Sequence, residues 1–335
     1  MKVGAMVLAT LGVEETLDLA VRAENLGFES FWLNDADIVY RNTWPMLAAI
    51  ARETKRIKFG PCVTNFVTRP WVFVSGLMNT LQELSGGRLI LGVGRGDASV
   101  RVLGKRAMSP SEFRASLARV RAFLSGDEVD ADGTAVRTTF LSATDVPILG
   151  AGYGPVVLQV IGELCDGAII QAADPDLISW SKSLLGRGAA RVGRSLDDVP
   201  ITVAAPAYVT DDVDQACERL RWFGDVVGRH IAGLLSRPHP GLPDGIAALG
   251  RLHSGDAQRA ERLESVEGDY GNFPDEAVRR VVLAGPVGTH LARLTELEER
   301  GVERVILYLN HDRRVETLES YASDIIPVLA RSTTK

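Results

Sequence analysis

Residues 82–97 read QELSGGRLILGVGRGD, and this stretch decides the fold. An amphipathic segment ends at paired glycines, and an apolar run follows at once. Polar residues come directly after the apolar run. The same order recurs in RAENLGFESFWLND (22–35), IGELCDGAIIQAAD (161–174) and EERGVERVILYLNHD (298–312). A helix, a glycine and a buried strand, repeated in this way, predict strands that alternate with helices along the chain.

The repeats predict eight strands, near residues 2–8, 28–33, 57–63, 88–93, 146–150, 167–171, 200–208 and 304–309. Strands that are apolar along their whole length are typical of a parallel sheet with both faces covered. Eight of them favour closure into one (β/α)₈ barrel, a TIM barrel, that forms a single domain over residues 1–335. An open doubly wound sheet is the alternative architecture.

Two segments interrupt the repeat. Residues 125–145 contain GDEVDADGTAV and are predicted to form a small hairpin insertion. Residues 211–273 form the largest insertion, between the seventh and eighth strands, and contain SRPHPGLPDG, which breaks any single helix. We expect a helical excursion over the barrel mouth, where such segments carry binding residues; a surface elaboration or a subunit contact is the alternative.

Composition and charge exclude several classes of function. The formal net charge of −6 provides no basic field for a nucleic acid. No apolar run approaches the roughly 20 residues that cross a bilayer, and the first residues lack a signal-peptide pattern, so we expect a cytoplasmic protein without a membrane partner. Three widely spaced cysteines and five histidines show no disulfide or metal-ligand spacing, so no metal site is predicted.

The active site of a (β/α)₈ barrel lies at the carboxyl ends of its strands. Among the polar residues at these positions, Asp35, Asp97 and His311 are the candidate catalytic groups. Helix capping is the alternative role for the two aspartates, and an exposed loop position is the alternative for the histidine. No Ser or Cys adjoins a predicted His base, so amide, hydroxyl and carboxylate groups around glycines favour a bound cofactor that supplies its own chemistry.

Residues 151–154 read AGYG and precede Pro155, where a helix would begin. Glycines permit close backbone approach, and free N–H groups at a helix start favour an anion, so this turn is the candidate phosphate site. A tight turn that needs glycine for its backbone angles is the alternative. GVGRGD (92–97) indicates a dinucleotide fold only weakly, because the third glycine of G-x-G-x-x-G is misplaced.

Three ordered motifs resemble the bacterial-luciferase-like family, most closely its methylenetetrahydromethanopterin reductase branch. FGPCVTNFVTRP (59–70) resembles that branch's third strand, LSGGRLILGVGRGD (84–97) its fourth, and AGYGPVVLQVIGELCDGAIIQAADP (151–175) its phosphate turn, helix and sixth strand. The resemblance implies a barrel that binds the deazaflavin coenzyme F420, or FMN, at its mouth. It also implies a non-prolyl cis peptide in strand three, between Cys62 and Val63 or one residue earlier.

The resemblance also assigns cofactor-binding residues. Those expected to contact the ring system, border it or hold the phosphate are Cys62, Val63, Thr64, Asn65, Gly94, Asp97, Ala151, Gly152, Tyr153 and Gly154. Two positions depart from the branch, because Met6 stands where it carries a Glu and Ala36 where it carries a His. Asp35, Tyr40, His311 or water must therefore handle protons, and the family's substrate is not carried over.

The leading hypothesis is hydride transfer between reduced coenzyme F420 and a C=C, C=N or C=O group of a small organic substrate. An FMN-dependent luciferase-like monooxygenase is the enzyme alternative, and a non-catalytic flavin-binding barrel is the third reading. The expected partners are the small-molecule substrate, a second copy of the chain in a homodimer, and a separate reductase that supplies reduced cofactor.

Overall fold

A computed structural model gives the fold and describes residues 1–8, 10–36, 38–143, 145–253 and 273–332. The described strands are β1 (Lys2–Val7), β2 (Ser30–Leu33), β3 (Lys58–Pro61), β4 (Thr64–Asn65), β5 (Leu91–Gly94), β6 (Val129–Ala131), β7 (Thr134–Val136), β8 (Ile148–Ala151), β9 (Gly167–Ile170), β10 (Ile201–Val209), β11 (Leu283–Gly285) and β12 (Val302–Tyr308). Apart from β6 and β7, they belong to one sheet.

The described helices alternate with these strands, as the repeat predicts. They are α1 (Val13–Asn25), α2 (Thr43–Glu53), α3 (Trp71–Ser85), α4 (Ala98–Arg101), α5 (Pro110–Leu124), α6 (Pro155–Leu164), α7 (Pro175–Arg191), α8 (Val213–Leu234), α9 (Asp244–Leu252), α10 (Asp275–Val281), α11 (Val287–Glu299), α12 (Arg314–Ser320) and α13 (Ile326–Ser332). A short 3₁₀ turn (Leu196–Asp198) precedes β10, and a π-helical turn (Tyr321–Ile325) joins the last two helices.

The large sheet is a parallel barrel in the strand order β3, β2, β1, β12, β10, β9, β8, β5, β4. The two strands at the ends of this order, β3 and β4, are two halves of one interrupted strand. The barrel therefore has the eight strands that the sequence predicts. A parallel bridge between Phe59 of β3 and Leu89, which lies just before β5, closes the barrel. Ile90 N donates to Phe59 O at 2.9 Å beside this bridge. Gly60 permits this approach, because a Cβ there would overlap the Ile90 carbonyl. The predicted TIM-barrel fold is confirmed.

The first insertion is the expected hairpin. Strands β6 and β7 pair antiparallel, with Ala131 opposite Thr134. The turn between them is Asp132-Gly133, and both residues have positive φ angles, 54° and 93°. An Asp-Gly pair in this conformation matches the right-handed twist of a two-residue hairpin.

The second insertion is helical where the structure describes it. Helices α8 and α9 fall within residues 211–273, and they follow β10 as predicted; residues 254–272 lie outside the described part of the chain. Strand β11 was not predicted, because three residues are too few for the apolar pattern to indicate a strand. It pairs parallel with the end of β10, which extends the barrel wall on that side.

Candidate active site

A cavity of about 480 Å³ opens at the carboxyl ends of the barrel strands. The described residues that line it come from the ends of β2 to β5, β8, β9 and β12, from the segments that follow these strands, and from helices α4, α6 and α8. They are Asn34, Asp35, Ala36, Tyr40, Cys62, Val63, Thr64, Asn65, Gly94, Arg95, Gly96, Asp97, Ser99, Ala107, Ala151, Gly152, Tyr153, Gly154, Val157, Ile169, Gln171, His230, Gly233, Leu234 and Tyr308. The cavity has the size of a small-molecule or cofactor site.

The structure brings the predicted site residues together, with one exception. All ten residues expected to bind cofactor line the cavity, and so does Asp35. His311 does not, because its buried imidazole turns toward the neighbouring strand, where Nε2 lies 2.7 Å from the carbonyl oxygen of Ala207. The ring also lies against Tyr208, with centroids 4.6 Å apart.

Strand three is interrupted between β3 and β4 by a cis peptide bond between Cys62 and Val63. This is the first of the two positions that the resemblance implies, so that expectation is confirmed. Burial raises the pKa of the Cys62 thiol to about 12, although a hydrogen bond with Tyr308 opposes the shift. The thiol at the cavity floor is therefore protonated at neutral pH and is not a thiolate nucleophile.

Asp35 is held in a buried ion pair. Arg69 donates to both carboxylate oxygens at 2.8 Å, and Thr64 Oγ1 and Trp44 Nε1 donate to Oδ2 at 2.6 and 3.2 Å. The side chain of Asp35 is 2% exposed and that of Arg69 is 9% exposed. A carboxylate with this many donors orients its neighbours, so Asp35 fits a positioning role better than the proton-donor role that its sequence position suggests.

Asn65 shapes the turn that follows β4. Its Oδ1 accepts hydrogen bonds from the backbone N–H groups of Val67 and Thr68 at 3.0 and 2.9 Å. Its Nδ2 donates to Ser99 Oγ at 3.0 Å, which ties the turn to the next strand end. Oδ1 and one Nδ2–H of the amide are thus committed to protein partners, so Asn65 mainly shapes the cavity wall.

The turn 151–154 leads directly into helix α6. Gly154 is the N-cap residue with φ −78° and ψ 145°, no side chain caps the helix, and its first turn carries no acidic residue. The N–H groups of Val156 and Val157 therefore remain available at the positive end of the helix dipole. Tyr153 borders the same turn, and its phenol donates to the Gln171 carbonyl at 2.7 Å.

Arg95 adds a positive charge to the same cavity. Among the described residues its guanidinium forms no ion pair or hydrogen bond, and it is about half-buried. Burial lowers its pKa, as expected for a cation partly removed from water without a carboxylate partner. An unpaired arginine in a cleft is suited to bind an anionic group of a ligand.

Asp97 lies at the rim beside two arginines and a histidine. Arg229 and His230 of helix α8 approach its Oδ2 at 3.0 and 3.3 Å, and Arg101 Nε lies 3.6 Å from Oδ1. Burial raises the pKa of Asp97, but the nearby His230, Arg229 and Arg101 outweigh it and lower the pKa overall. Asp97 is therefore ionised at neutral pH, which suits a charge partner rather than a proton donor.

His230 is a cavity residue that the sequence did not indicate. Its imidazole stacks on the Tyr153 ring, with centroids 4.7 Å apart and planes inclined by 21°. The expected excursion over the mouth pointed to α8, but no spacing within residues 211–273 distinguished this histidine from His239 and His253. Its contact with Asp97 joins residues more than 130 positions apart in the chain, and only the folded barrel shows such a contact.

The two departures from the branch pattern affect the cavity differently. Met6 is fully buried and does not line the cavity, whereas Ala36 does line it. Where the structure describes the chain, no group of three or more His, Cys, Asp or Glu residues could hold a metal ion. No helix in those same ranges is long and apolar enough to cross a membrane.

A closed (β/α)₈ barrel with a cofactor-sized cavity at its mouth defines the class of protein, and comparisons with known proteins identify the family. The luciferase-like monooxygenase family model matches residues 1–304. The 5,10-methylenetetrahydromethanopterin reductase of Methanolobus tindarius is 28% identical over 296 residues, which cover 85% of this chain and 86% of that protein. The F420-dependent glucose-6-phosphate dehydrogenase of Nocardia farcinica is 30% identical over 235 residues, 63% of this chain and 70% of that protein.

A solved structure shows the same fold. The coenzyme F420-dependent tetrahydromethanopterin reductase of Methanopyrus kandleri superposes with a TM-score of 0.77 at 24% identity, over 98% of this chain and 99% of that one. The chain belongs to the luciferase-like family, as its three motifs predict, and is an oxidoreductase of that class.

Proposed function

We propose that this protein transfers a hydride between coenzyme F420, a deazaflavin, and a small organic molecule. The observation that carries the proposal is one cavity that combines the start of helix α6, which no side chain caps, the cis peptide in strand three, and Arg95, which has no partner among the described residues. Relatives named as F420-dependent enzymes support the choice of cofactor.

The residues present fit such a cofactor. Asn34 lines the cavity, and its buried Oδ1 has no hydrogen-bond partner among the described residues. A buried acceptor without a donor is costly, and the imide N–H of a deazaflavin or flavin ring would satisfy it. The N–H groups of Val156 and Val157 and the Arg95 guanidinium would hold the phosphate of either cofactor. When bound, the cofactor supplies a two-electron donor or acceptor.

The chain's own residues then position the reactants. Thr64, whose hydroxyl donates to Asp35, and the protonated Cys62 thiol line the cavity next to the cis peptide. Insertion helix α8 forms one side of the cavity through His230, Gly233 and Leu234. Because Ala36 has no titratable group, any proton must come from another side of the cavity.

An FMN-dependent monooxygenase is the second candidate, favoured by the description of the matching family model. The same phosphate donors would serve FMN, so the described contacts fit both cofactors. The non-catalytic barrel, the homodimer and the separate reductase remain predictions from the sequence.

The test is the identity of the cofactor that purifies with the protein from a host that makes both F420 and FMN. Mass analysis of the released ligand, together with the absorption spectrum of the complex, is expected to show F420. FMN alone, with oxygen uptake after reduction, would favour the monooxygenase. Full occupancy by either cofactor without turnover on a broad substrate panel would favour the non-catalytic barrel.

A further inference from the structure

Most titratable side chains in the cavity are unable to act as a base. Asp35 has its oxygens committed to Arg69, Thr64 and Trp44. Burial keeps the Cys62 thiol protonated. Arginine accepts no proton, and phenols titrate far above neutral pH. Among the described lining residues this leaves the pair formed by Asp97 and His230.

The pair places a carboxylate beside one ring nitrogen of the imidazole. Nε2 of His230 lies 3.3 Å from Oδ2 of Asp97. The other ring nitrogen, Nδ1, has no hydrogen-bond partner among the described residues and is not one of the occluded polar atoms. The stack on Tyr153 holds the ring plane, so Nδ1 has a defined direction and remains accessible.

The surroundings keep this imidazole neutral. Charged or titratable groups face it from the end of β5, from α4, from the turn before α6, from the end of α9 and from its own helix: Asp97, Arg101, Tyr153, His253 and Arg229. Burial lowers the pKa of His230 to about 4 even though Asp97 opposes the shift. At neutral pH the ring therefore has one nitrogen free to accept a proton.

We propose that His230 is the catalytic base of this cavity and that Asp97 fixes its tautomer, with Nε2 protonated and Nδ1 available to a hydroxyl or amine group of the substrate. The inference rests on the proposed function, because the reaction needs the deazaflavin as electron acceptor. Nδ1 takes the O–H or N–H proton, and the electron pair of that bond forms the C=O or C=N double bond. The neighbouring C–H hydrogen leaves with its two electrons to the oxidised cofactor. In the reverse direction protonated His230 returns the proton.

The first test reads the histidine itself and needs no substrate. Protein labelled with ¹⁵N-histidine, with the His230 signals assigned from His230→Gln, is expected to show a neutral ring protonated on Nε2 at pH 7. Asp97→Asn is expected to weaken that tautomer preference. A ring that is doubly protonated at pH 7, or protonated on Nδ1 alone, would overturn the proposal.

The second test uses the F420-loaded protein with small secondary alcohols and amines. His230→Gln is expected to lower kcat about 100-fold while the Kd for F420 stays within about twofold, and added imidazole is expected to restore part of the kcat of His230→Ala. His239→Gln is the matched control, because His239 lies in the same insertion but does not line the cavity. It should leave both quantities unchanged.

Two results separate this inference from the proposed function. If His230→Gln weakens F420 binding and leaves kcat unchanged, or the loaded wild-type protein oxidises none of these substrates, the base assignment is wrong while the cofactor assignment holds. If the wild-type protein binds no F420, the proposed function fails, whatever tautomer His230 shows.

Discussion

Replacing Gly154 by aspartate should separate stability from cofactor binding. Gly154 is the N-cap of α6 with extended backbone angles, and a Cβ there would meet only Leu234 Cδ2, at an ordinary 3.6 Å. The new carboxylate can accept the N–H of Val157, as Asp174 already caps α7 by accepting from Leu177 N at 2.7 Å. We expect Gly154→Asp to raise the free energy of unfolding by about 0.5–1 kcal/mol.

The same carboxylate would stand where the cofactor phosphate is expected. Two negative unit charges about 5 Å apart at an effective dielectric constant of about 40 repel each other by about 1.7 kcal/mol, and the capping bond also removes one donor. Together these effects predict a loss of roughly 2 kcal/mol, or about 30-fold in Kd. Gly152 is a poorer position for this test, because a Cβ there would lie 2.7 Å from Val157 Cγ1.

Fluorescence titrations with FMN and riboflavin, and with F420 and its phosphate-free deazaflavin core, check the prediction. Only the phosphate-bearing ligand of each pair should lose affinity, and Gly154→Ala should change neither by more than about threefold. Equal losses for both members of a pair, or unchanged Kd values in a folded Gly154→Asp variant, would refute the phosphate site at this turn.

Three further predictions concern buried groups. Arg69→Met should lower the free energy of unfolding, measured in urea, by about 3–5 kcal/mol, because it leaves the Asp35 carboxylate buried without its cation. Adding Asp35→Asn should recover much of this loss. A loss below about 1 kcal/mol would contradict the buried ion pair. Cys62 should resist iodoacetamide in the folded protein at pH 8, by mass spectrometry, because burial raises its pKa to about 12; labelling as fast as in urea would contradict this. Burial lowers the pKa of His290 to about 4, below its ordinary value, so the unfolded chain binds the proton first and stability falls as the pH drops from about 6.5 toward 4. In His290→Gln, the slope of the free energy of unfolding against pH should be shallower by up to one proton. An unchanged slope would count against the burial effect.

The barrel could be predicted because its signal is local and repeated. Each helix, glycine and apolar run appears in consecutive residues, and the strand-end rule then places the residues after each run at one mouth. The same rule brought Asp97, Thr64 and the 151–154 turn to one cavity. Strand β11 was not predicted, because its three residues are too few to show an apolar pattern.

Side-chain direction and long-range pairing could not be predicted in the same way. His311 follows a strand end, yet its ring turns toward the Ala207 carbonyl, since loop residues lack the alternation that sets directions in a strand. Asp35 follows a strand end as well, and its pairing with Arg69 decides its role. His230 comes from an insertion whose path over the mouth depends on packing rather than on a repeat.

Side-by-side equilibrium titration of the cofactor-free protein with F420 and with FMN tests the central claim most directly. The account predicts one F420 bound per chain, at least about tenfold more tightly than FMN, and no oxygen uptake when the F420 complex is reduced. Tighter binding of FMN, with oxygen consumed after its reduction, would contradict the assignment of this barrel as a deazaflavin-dependent hydride-transfer enzyme.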